Sequence, residues 1–393
     1  MKVSLPEGHY VKKIEVNSDG LDIDFAPKQK VALLFISLND RYWPYLAQVI
    51  KDCKQNFLPH HNVDYFVWTD YSEDTKNSQL GSLDKLAESY LKTKDQNVLN
   101  SIVNTFSTTC RLHGIFYPQE IQNALQTLAQ QGIVYKQDGP KFWIESTHEV
   151  NESDVLLLVK LMREIVVHHH KDMDETLQGA IISDTAPIEW PMPTLMRYHL
   201  FLNQEEKLKE YDHILYLDAD MRVVTKISDE VLSEGLLSAE HPMYSLRKEY
   251  IPPYEPNDKS TAFIPRPGQV VDENGKKRFK PFYYAGGFQG GKATVFIEAM
   301  QTMKKNIDKD FDNNYTAIWN DESHWNKYLS EYRGSLTVLS PSYIYPDSLI
   351  KEYYEPLWGC SYEPKIVTLT KPFSLSLQGA EEINKFIKDV NRK

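Results

Sequence analysis

Only three cysteines occur in 393 residues, Cys53, Cys110 and Cys360, far apart and without CxxC or other ligand spacing. That scarcity argues against a disulfide framework and a cysteine-built zinc site, and it fits a reducing compartment. Long hydrophobic runs are also missing. No stretch approaches the roughly 18 consecutive apolar residues that span a bilayer, and the opening MKVSLPEGHYVKK lacks the apolar segment of a secretory signal. There is no basic surplus either: 44 Lys and Arg stand against 55 Asp and Glu, a formal charge of −11. Nucleic acid is therefore an unfavourable partner, because neutralising phosphates takes clustered cations. These absences predict a soluble, cytoplasmic chain with no transmembrane segment, peripheral to a membrane at most. The tail AEEINKFIKDVNRK reads as a solvated terminal helix with a basic end rather than an anchor.

What is present can form a core. The composition is 41% hydrophobic and 12% aromatic, with 24 Tyr and 7 Trp. The length suits two or three domains, or one large domain with an insertion. Residues 30–38, KVALLFISL, form an apolar run typical of a buried parallel strand. RYWPYLAQVIKDCKQNF has a helical period, and NVDYFVWTD (62–70) reads as a second strand, which makes a right-handed βαβ unit. TLMRYHLFLNQEEKLKEY (194–211) is expected as an amphipathic helix leading into a third strand. The class is α/β.

Residues 78–175 change character, with helical periods broken by one hairpin signal around IVYKQDGPKFWIE, its turn at Asp138-Gly139. A mostly helical insertion is predicted there, with a winged-helix arrangement as a less favoured alternative. His168, His169 and His170 fan out by about 100° each on a helix, so a shared metal is disfavoured, and stabilising the helix C-terminus is their expected role. Residues 255–280 read as a long polar loop.

Acidic DxD pairs are common here, at Asp22/Asp24, Asp172/Asp174, Asp308/Asp310 and Asp310/Asp312 as well as Asp218/Asp220. Context separates them. Only Asp218 and Asp220, in YDHILYLDADMRVV, follow a buried apolar run at the carboxyl end of a sheet strand, where open α/β sheets bind ligands. Carboxylates there suit Mn²⁺ or Mg²⁺ shared with a diphosphate. A second motif, FYYAGGFQGGKATVFIEAM (282–300), reads as a glycine-rich turn before a helix. Gly286 to Lys292 fits GxxxxGK, so a P-loop NTPase competes, although Ala293 stands where the magnesium-binding hydroxyl belongs. The third motif, AIWNDESHWNKYLSEY (317–332), places Asp321 and Glu322 at a helix start, where capping would explain them. The density of aromatic and carboxylate residues around them is of the kind sugar sites use.

Together these stretches resemble family 6 glycosyltransferases, the retaining enzymes that include the histo-blood-group A and B transferases and the α-1,3-galactosyltransferase. The likeness covers about residues 30–77 and 180–346. It implies a GT-A type fold, with a Rossmann-like nucleotide-sugar-binding sheet, carried by residues 1–77 and 176–350, with 78–175 inserted and 351–393 as a C-terminal lid. It further implies metal-dependent transfer of N-acetylgalactosamine, or galactose, from a UDP-sugar donor in α-1,3 linkage to a galactose-terminated glycan acceptor. The missing apolar N-terminal segment is more like bacterial or viral members.

Position by position, the resemblance assigns Asp218 and Asp220 to Mn²⁺, with Mg²⁺ as the substitute. Phe35, Ile36, Ser37 and Tyr42 correspond to the uridine pocket, in a segment two residues longer than is usual. Trp190, Arg197, Ala285, Gly286, Gly287 and Lys371 correspond to donor contacts, with Gly287 leaving space beside the sugar that favours N-acetylgalactosamine. His241, Tyr254 and Trp319 correspond to the acceptor site. Asp321 and Glu322 correspond to the catalytic pair, Glu322 acting either as a nucleophile or as the stabiliser of an oxocarbenium-like state. A non-catalytic sugar- or nucleotide-binding scaffold, with the insertion as its working part, is the alternative outside enzymes.

Overall fold

A computed structural model of the chain describes residues 5–17, 20–138, 141–246, 252–265, 269–271, 277–279, 282–347 and 362–369. Its centre is a seven-stranded, mostly parallel sheet. Across it the strands run Leu336–Leu339, Leu236–Glu240, Tyr284–Lys292, His213–Leu217, Lys30–Ser37, Asn62–Thr69 and Ile181–Asp184. Lys30–Ser37 pairs in parallel with Asn62–Thr69 and with His213–Leu217, whereas Tyr284–Lys292 is antiparallel to both its neighbours. The arrangement is compatible with the expected GT-A type.

The apolar run is explained by layers on both faces. Val31, Leu33 and Phe35 pack against Leu46 and Ile50 of the helix Trp43–Asn56. The alternate residues, Ala32 and Leu34, pack with Tyr198, Phe201 and Phe296 on the other side, following the two-residue period of a strand. The chain runs outward from Lys30–Ser37 to Asn62–Thr69 and Ile181–Asp184, then returns to the opposite flank at His213–Leu217. That reversal opens a crevice at the carboxyl ends of the two middle strands.

Residues 73–177 form helices Glu73–Thr93, Gln96–Gly114, Pro118–Gln130 and Glu152–Leu177, with a hairpin of Ile133–Asp138 and Lys141–Ser146. They bury their own apolar cluster, including Ile102, Phe106, Leu158 and Met162. Capping boxes at Ser72/Thr75 and Asn151/Asp154 start the first and last of these helices. The last helix docks on Trp43–Asn56, where Lys54 Nζ donates to the Thr176 carbonyl at 2.8 Å.

Four expectations need correction. The histidine triplet lies inside Glu152–Leu177, not at its end. His169 and His170 are buried against His113, Trp43 and Tyr71, so they pack rather than cap. Residues 194–211 break into the short helices Met192–Leu195, Arg197–Leu202 and Glu205–Leu208, with Asn203 and Gln204 turning back onto Leu200 and Phe201. Within 255–280 lies a small ladder, Gln269–Val271 with Lys277–Phe279.

The glycine-rich motif is a strand rather than a phosphate-binding turn. Gln289, Gly290 and Gly291 pair with strands on both sides and the Gly286 amide donates to Glu322, which removes the P-loop reading. A Cβ at Gly290 would stand 2.3 Å from the Ile214 carbonyl oxygen and 2.8 Å from Leu215 Cα. We predict that Gly290→Ala lowers the denaturant midpoint by the equivalent of about 1–3 kcal/mol. An unchanged midpoint would contradict this packing.

Candidate active site

Leu217 is the last residue of its strand, and the chain turns through Asp218–Asp220 before Met221–Val223 joins a separate three-stranded sheet with Tyr345–Pro346 and Ile366–Thr368. The neighbouring strand Tyr284–Lys292 bulges at the same level. Ser238 pairs with Gln289 and Ala239 with Ala285, so Gly286, Gly287 and Phe288 are left over opposite one step. Bulges of this kind re-aim backbone groups beside active sites.

Here the re-aimed groups meet Arg197, which is 3% exposed. Its Nη1 donates to the Gly286 carbonyl at 2.6 Å and lies 2.8 Å from Asp321 Oδ2, while Nη2 lies 3.2 Å from Asp218 Oδ1. The guanidinium sits 4.1 Å over the Tyr216 ring, and the Tyr216 hydroxyl donates to Asp218. The Gly286 amide in turn donates to Glu322 Oε2 at 2.8 Å. One bulged glycine and one buried arginine thus join the two acidic motifs. The planar fork of arginine permits this, and a lysine could not reproduce it.

Burial pushes Glu322 up to about 7, against the Gly286 amide and the adjacent Tyr283, with Asp321 and Asp218 adding repulsion. Burial likewise raises Asp321 to about 6 against the pull of Arg197. Three carboxyls converge on this bulge around one arginine, which leaves excess negative charge that a cation would relieve.

A cleft of about 480 Å³ opens here, lined by Ile36, Tyr42, Trp190, Arg197, Asp218 and Asp220 among others. Phe35 and Ser37 do not line it; their side chains are buried in the sheet core. Ala285 is likewise 3% exposed, in an apolar cluster with Leu237 and Ala239. Gly287 does not leave space: a Cβ there would lie 2.6 Å from Asp218 Oδ2 and 2.7 Å from Met221 Cε. Lys371 and most of the 351–393 segment lie outside the described residues. The part described, 362–369, reaches this site, since the Leu369 amide donates to the Asp220 carbonyl at 2.8 Å.

His241, Tyr244, Tyr254 and Tyr283 form an aromatic group beside Glu322, with ring centroids 4.9–5.7 Å apart. Burial lowers His241 to about 4, so its ring is neutral. Trp319 is 48% exposed at the start of the helix Asn320–Glu331. Asp321 does not cap the helix Asn320–Glu331; its carboxylate goes to Arg197 instead. Ser323, His324 and Trp325 are structural, with Trp325 Nε1 donating to Ser238 Oγ at 2.9 Å. Tyr244 and Tyr283 were not singled out from the sequence: Tyr283 stands in the glycine-rich motif ahead of its glycines, and only the fold brings the two rings against Glu322.

Metal ligation can be tested on the donor set. Among the described residues, no group of three or more His, Cys, Asp or Glu could hold an ion. Asp218 and Asp220 both line the cleft; two carboxylates there would need ligand oxygens and water to complete a metal's shell, a pattern that suits Mg²⁺ or Mn²⁺ bound with a diphosphate. No helix among the described residues is long and apolar enough to cross a membrane.

Residues 189–354 match the profile of glycosyltransferase family 6. The chain is 37% identical over 142 residues to the rat histo-blood group ABO system transferase 1, a match covering 36% of this chain and 37% of that protein. It is 32% identical over 139 residues to the mouse globoside α-1,3-N-acetylgalactosaminyltransferase 1, covering 35% and 36%. With the O-antigen biosynthesis glycosyltransferase WbnI of Escherichia coli it shares 28% over 159 residues, covering 40% and 62%. The chain thus matches between about a third and two thirds of the length of these relatives. The match contains the whole acidic cluster and leaves out the helices of 73–177. Residues 189–354, which hold Arg197, both acidic pairs and the glycine bulge, belong to glycosyltransferase family 6.

Proposed function

We propose that the protein is a divalent-metal-dependent, retaining glycosyltransferase that moves N-acetylgalactosamine, or galactose, from a UDP-sugar in α-1,3 linkage to a galactose-terminated glycan. The observation that carries this reading is the junction of Asp218, Asp321, Glu322 and Arg197 at the Gly286 bulge, beside a cleft lined by Ile36, Tyr42 and Trp190. The similarity to a histo-blood group ABO system transferase and to a globoside α-1,3-N-acetylgalactosaminyltransferase supports the sugar chemistry.

Asp218 and Asp220 would hold Mn²⁺, or Mg²⁺, which when bound supplies Lewis acidity to the leaving diphosphate. Arg197 keeps Asp218 and Asp321 in place and fixes the bulge that orients Glu322. Glu322, assigned beneath the anomeric carbon, stabilises positive charge there or attacks it. Neutral His241, with Tyr244, Tyr254 and Trp319, is assigned to the acceptor galactose, whose apolar ring faces suit aromatic side chains. Incubation of UDP-N-acetylgalactosamine, Mn²⁺ and a β-galactoside, followed by NMR of the product, tests the reading. An α-1,3 linkage supports it, and a β linkage would refute retention.

Two expectations follow. Glu322 must be ionised to act, and its pKa in the free protein is raised to about 7. Thus kcat/KM should fall about tenfold per pH unit below that value. The linkage has the opposite sign for stability: a folded-state pKa above the ordinary 4.5 means that ionisation costs stability as pH rises through 7. Glu322→Gln should therefore melt higher than wild type at pH 8, show little difference at pH 4, and lose about 10²-fold or more in kcat. Equal melting differences at both pH values would contradict the assigned environment.

Gly287→Ala should remain folded, because the atoms it meets are side-chain ends, but it displaces Asp218 Oδ2. Turnover with both donors should drop about tenfold or more, within the range for disturbing a ligand's surroundings. A changed donor ratio at undiminished total rate would show instead that Gly287 borders the sugar.

A further inference from the structure

A second cavity, about 680 Å³, is distinct from the acidic cleft. It lies between the helices of 73–177 and the loop following Lys30–Ser37, outside the family match. The helix Glu73–Thr93 turns Thr75, Ser78, Gln79 and Ser82 toward it, at three- and four-residue spacing. The facing helix Gln96–Gly114 offers Ser101, Asn104, Thr105 and Thr108 in the same way. Helices packing for stability would present apolar stripes, and these two do so toward Glu152–Leu177, through Ala87, Tyr90, Ile102 and Phe106. Their polar stripes face the cavity instead.

The hydroxyls of Ser82, Thr105 and Thr108 donate to carbonyls one turn back, which leaves oxygen lone pairs for an incoming O–H. Gln79 Nε2 donates to Asp40 at 3.2 Å, while Gln79 Oε1 is buried without a partner. His113, 2% exposed, also lines the cavity, and its Nδ1 is buried and unpartnered. The floor includes Trp43, Leu86 and Leu112. Besides His113, the ionisable side chains in the wall are Asp40, Asp70 and Arg41, two acids to one base, a set that disfavours phosphate or nucleotide. The polar rim disfavours a purely apolar ligand. What remains is a ligand with hydroxyls at its edge and C–H faces, of a size that fits a cavity of this class.

We infer that this cleft is a binding site for a neutral saccharide, separate from the acidic centre. Asn39 and Arg41 line both cavities, so a sugar held here touches the loop that walls the acidic cleft. Asn39 has a left-handed backbone, φ 88°, and its amide lies 2.9 Å from each Asp70 carboxylate oxygen. Trp43 Nε1 donates to the same carboxylate at 2.9 Å, fixing the loop between the two chambers. The inference does not depend on the proposed transfer reaction.

Binding without turnover tests it. Lactose, lacto-N-neotetraose, chitotriose and maltotetraose, with inorganic phosphate as an anionic control, would be titrated by saturation-transfer NMR. The proteins would be wild type, Ser101→Trp, Thr105→Trp and the double variant Asp218→Asn/Asp220→Asn. Ser101 is exposed, so its variant keeps the test valid if the more enclosed Thr105→Trp fails to fold. The expected result is that at least one saccharide binds wild type and the double variant alike, and loses about tenfold or more affinity in the Trp variants. The inference is overturned if none of the four binds, if phosphate binds the cleft in their place, if the Trp variants bind normally, or if the double variant loses binding. Titrating UDP with Mn²⁺ on the same samples shows separately whether the acidic centre is sound.

Discussion

Asp218→Asn and Asp220→Asn are each expected to lower metal-dependent UDP release by about 10²–10³-fold, the scale of removing one electrostatic element from a reacting site. Neither should harm the fold. Asp218 belongs to a cluster carrying excess negative charge, and asparagine still accepts from Tyr216 and Arg197 while shedding that charge. Asp22→Asn is the control, because Asp22 lies exposed on a separate two-stranded hairpin, Asp22 opposite Glu15, outside the central sheet. Comparable losses from Asp22 and Asp218 would mean that DxD spacing, and not position at the strand tip, had been mistaken for chemistry. Melting temperatures separate loss of function from loss of structure.

Arg197→Ala should be the most damaging single change in the molecule. It removes a buried cation from Asp321 at 2.8 Å and Asp218 at 3.2 Å and a donor from the Gly286 carbonyl. Breaking a buried pair by deleting one partner costs about 3–5 kcal/mol, because the remaining charge has neither water nor counter-ion. The bulge would lose the bond fixing it opposite Glu322, so activity should vanish along with stability. Arg197→Lys should recover part of the stability but little of the turnover, since an ammonium cannot span Asp218, Asp321 and a carbonyl in one plane. A double-mutant cycle with Asp321→Asn should show coupling well above about 0.5 kcal/mol, the level expected of independent sites. Additive losses would mean that the arginine and the second acidic motif do not act as one unit.

The legible parts of this molecule were those where one physical demand dominates a short segment. A strand buried on both faces must be apolar throughout, and so KVALLFISL and HILYL could be placed in a central sheet and the aspartates after Leu217 at its edge. The helical character of 73–177 was legible through its period, but the helix ends were not: Glu73–Thr93 begins before residue 78, and Glu152–Leu177 runs past the histidine triplet. Misreadings arose where a side chain has two uses. Glycines 286, 287, 290 and 291 look like a phosphate cradle, but in the sheet they allow close strand contact and a bulge. Asp321 sits where a capping residue would, yet its partner is an arginine 124 positions earlier, a contact no local pattern reveals. His169 and His170 looked like a terminus because polar residues follow, while the helix continues to Leu177 by packing on its inner face. Tyr244 and Tyr283 face Glu322 from the short helix Pro242–Leu246 and a strand entry, and only the folded arrangement brings them together.

The central claim is that the acidic strand tip works with a divalent ion on a UDP-sugar. Release of UDP from UDP-N-acetylgalactosamine, UDP-galactose, UDP-N-acetylglucosamine and UDP-glucose, with Mn²⁺ and after chelation, with and without a β-galactoside, tests it most directly. Release that requires the ion, is highest with UDP-N-acetylgalactosamine or UDP-galactose, and rises with the acceptor is the predicted result. Release unaffected by chelation, or no release from any of the four, would contradict the account.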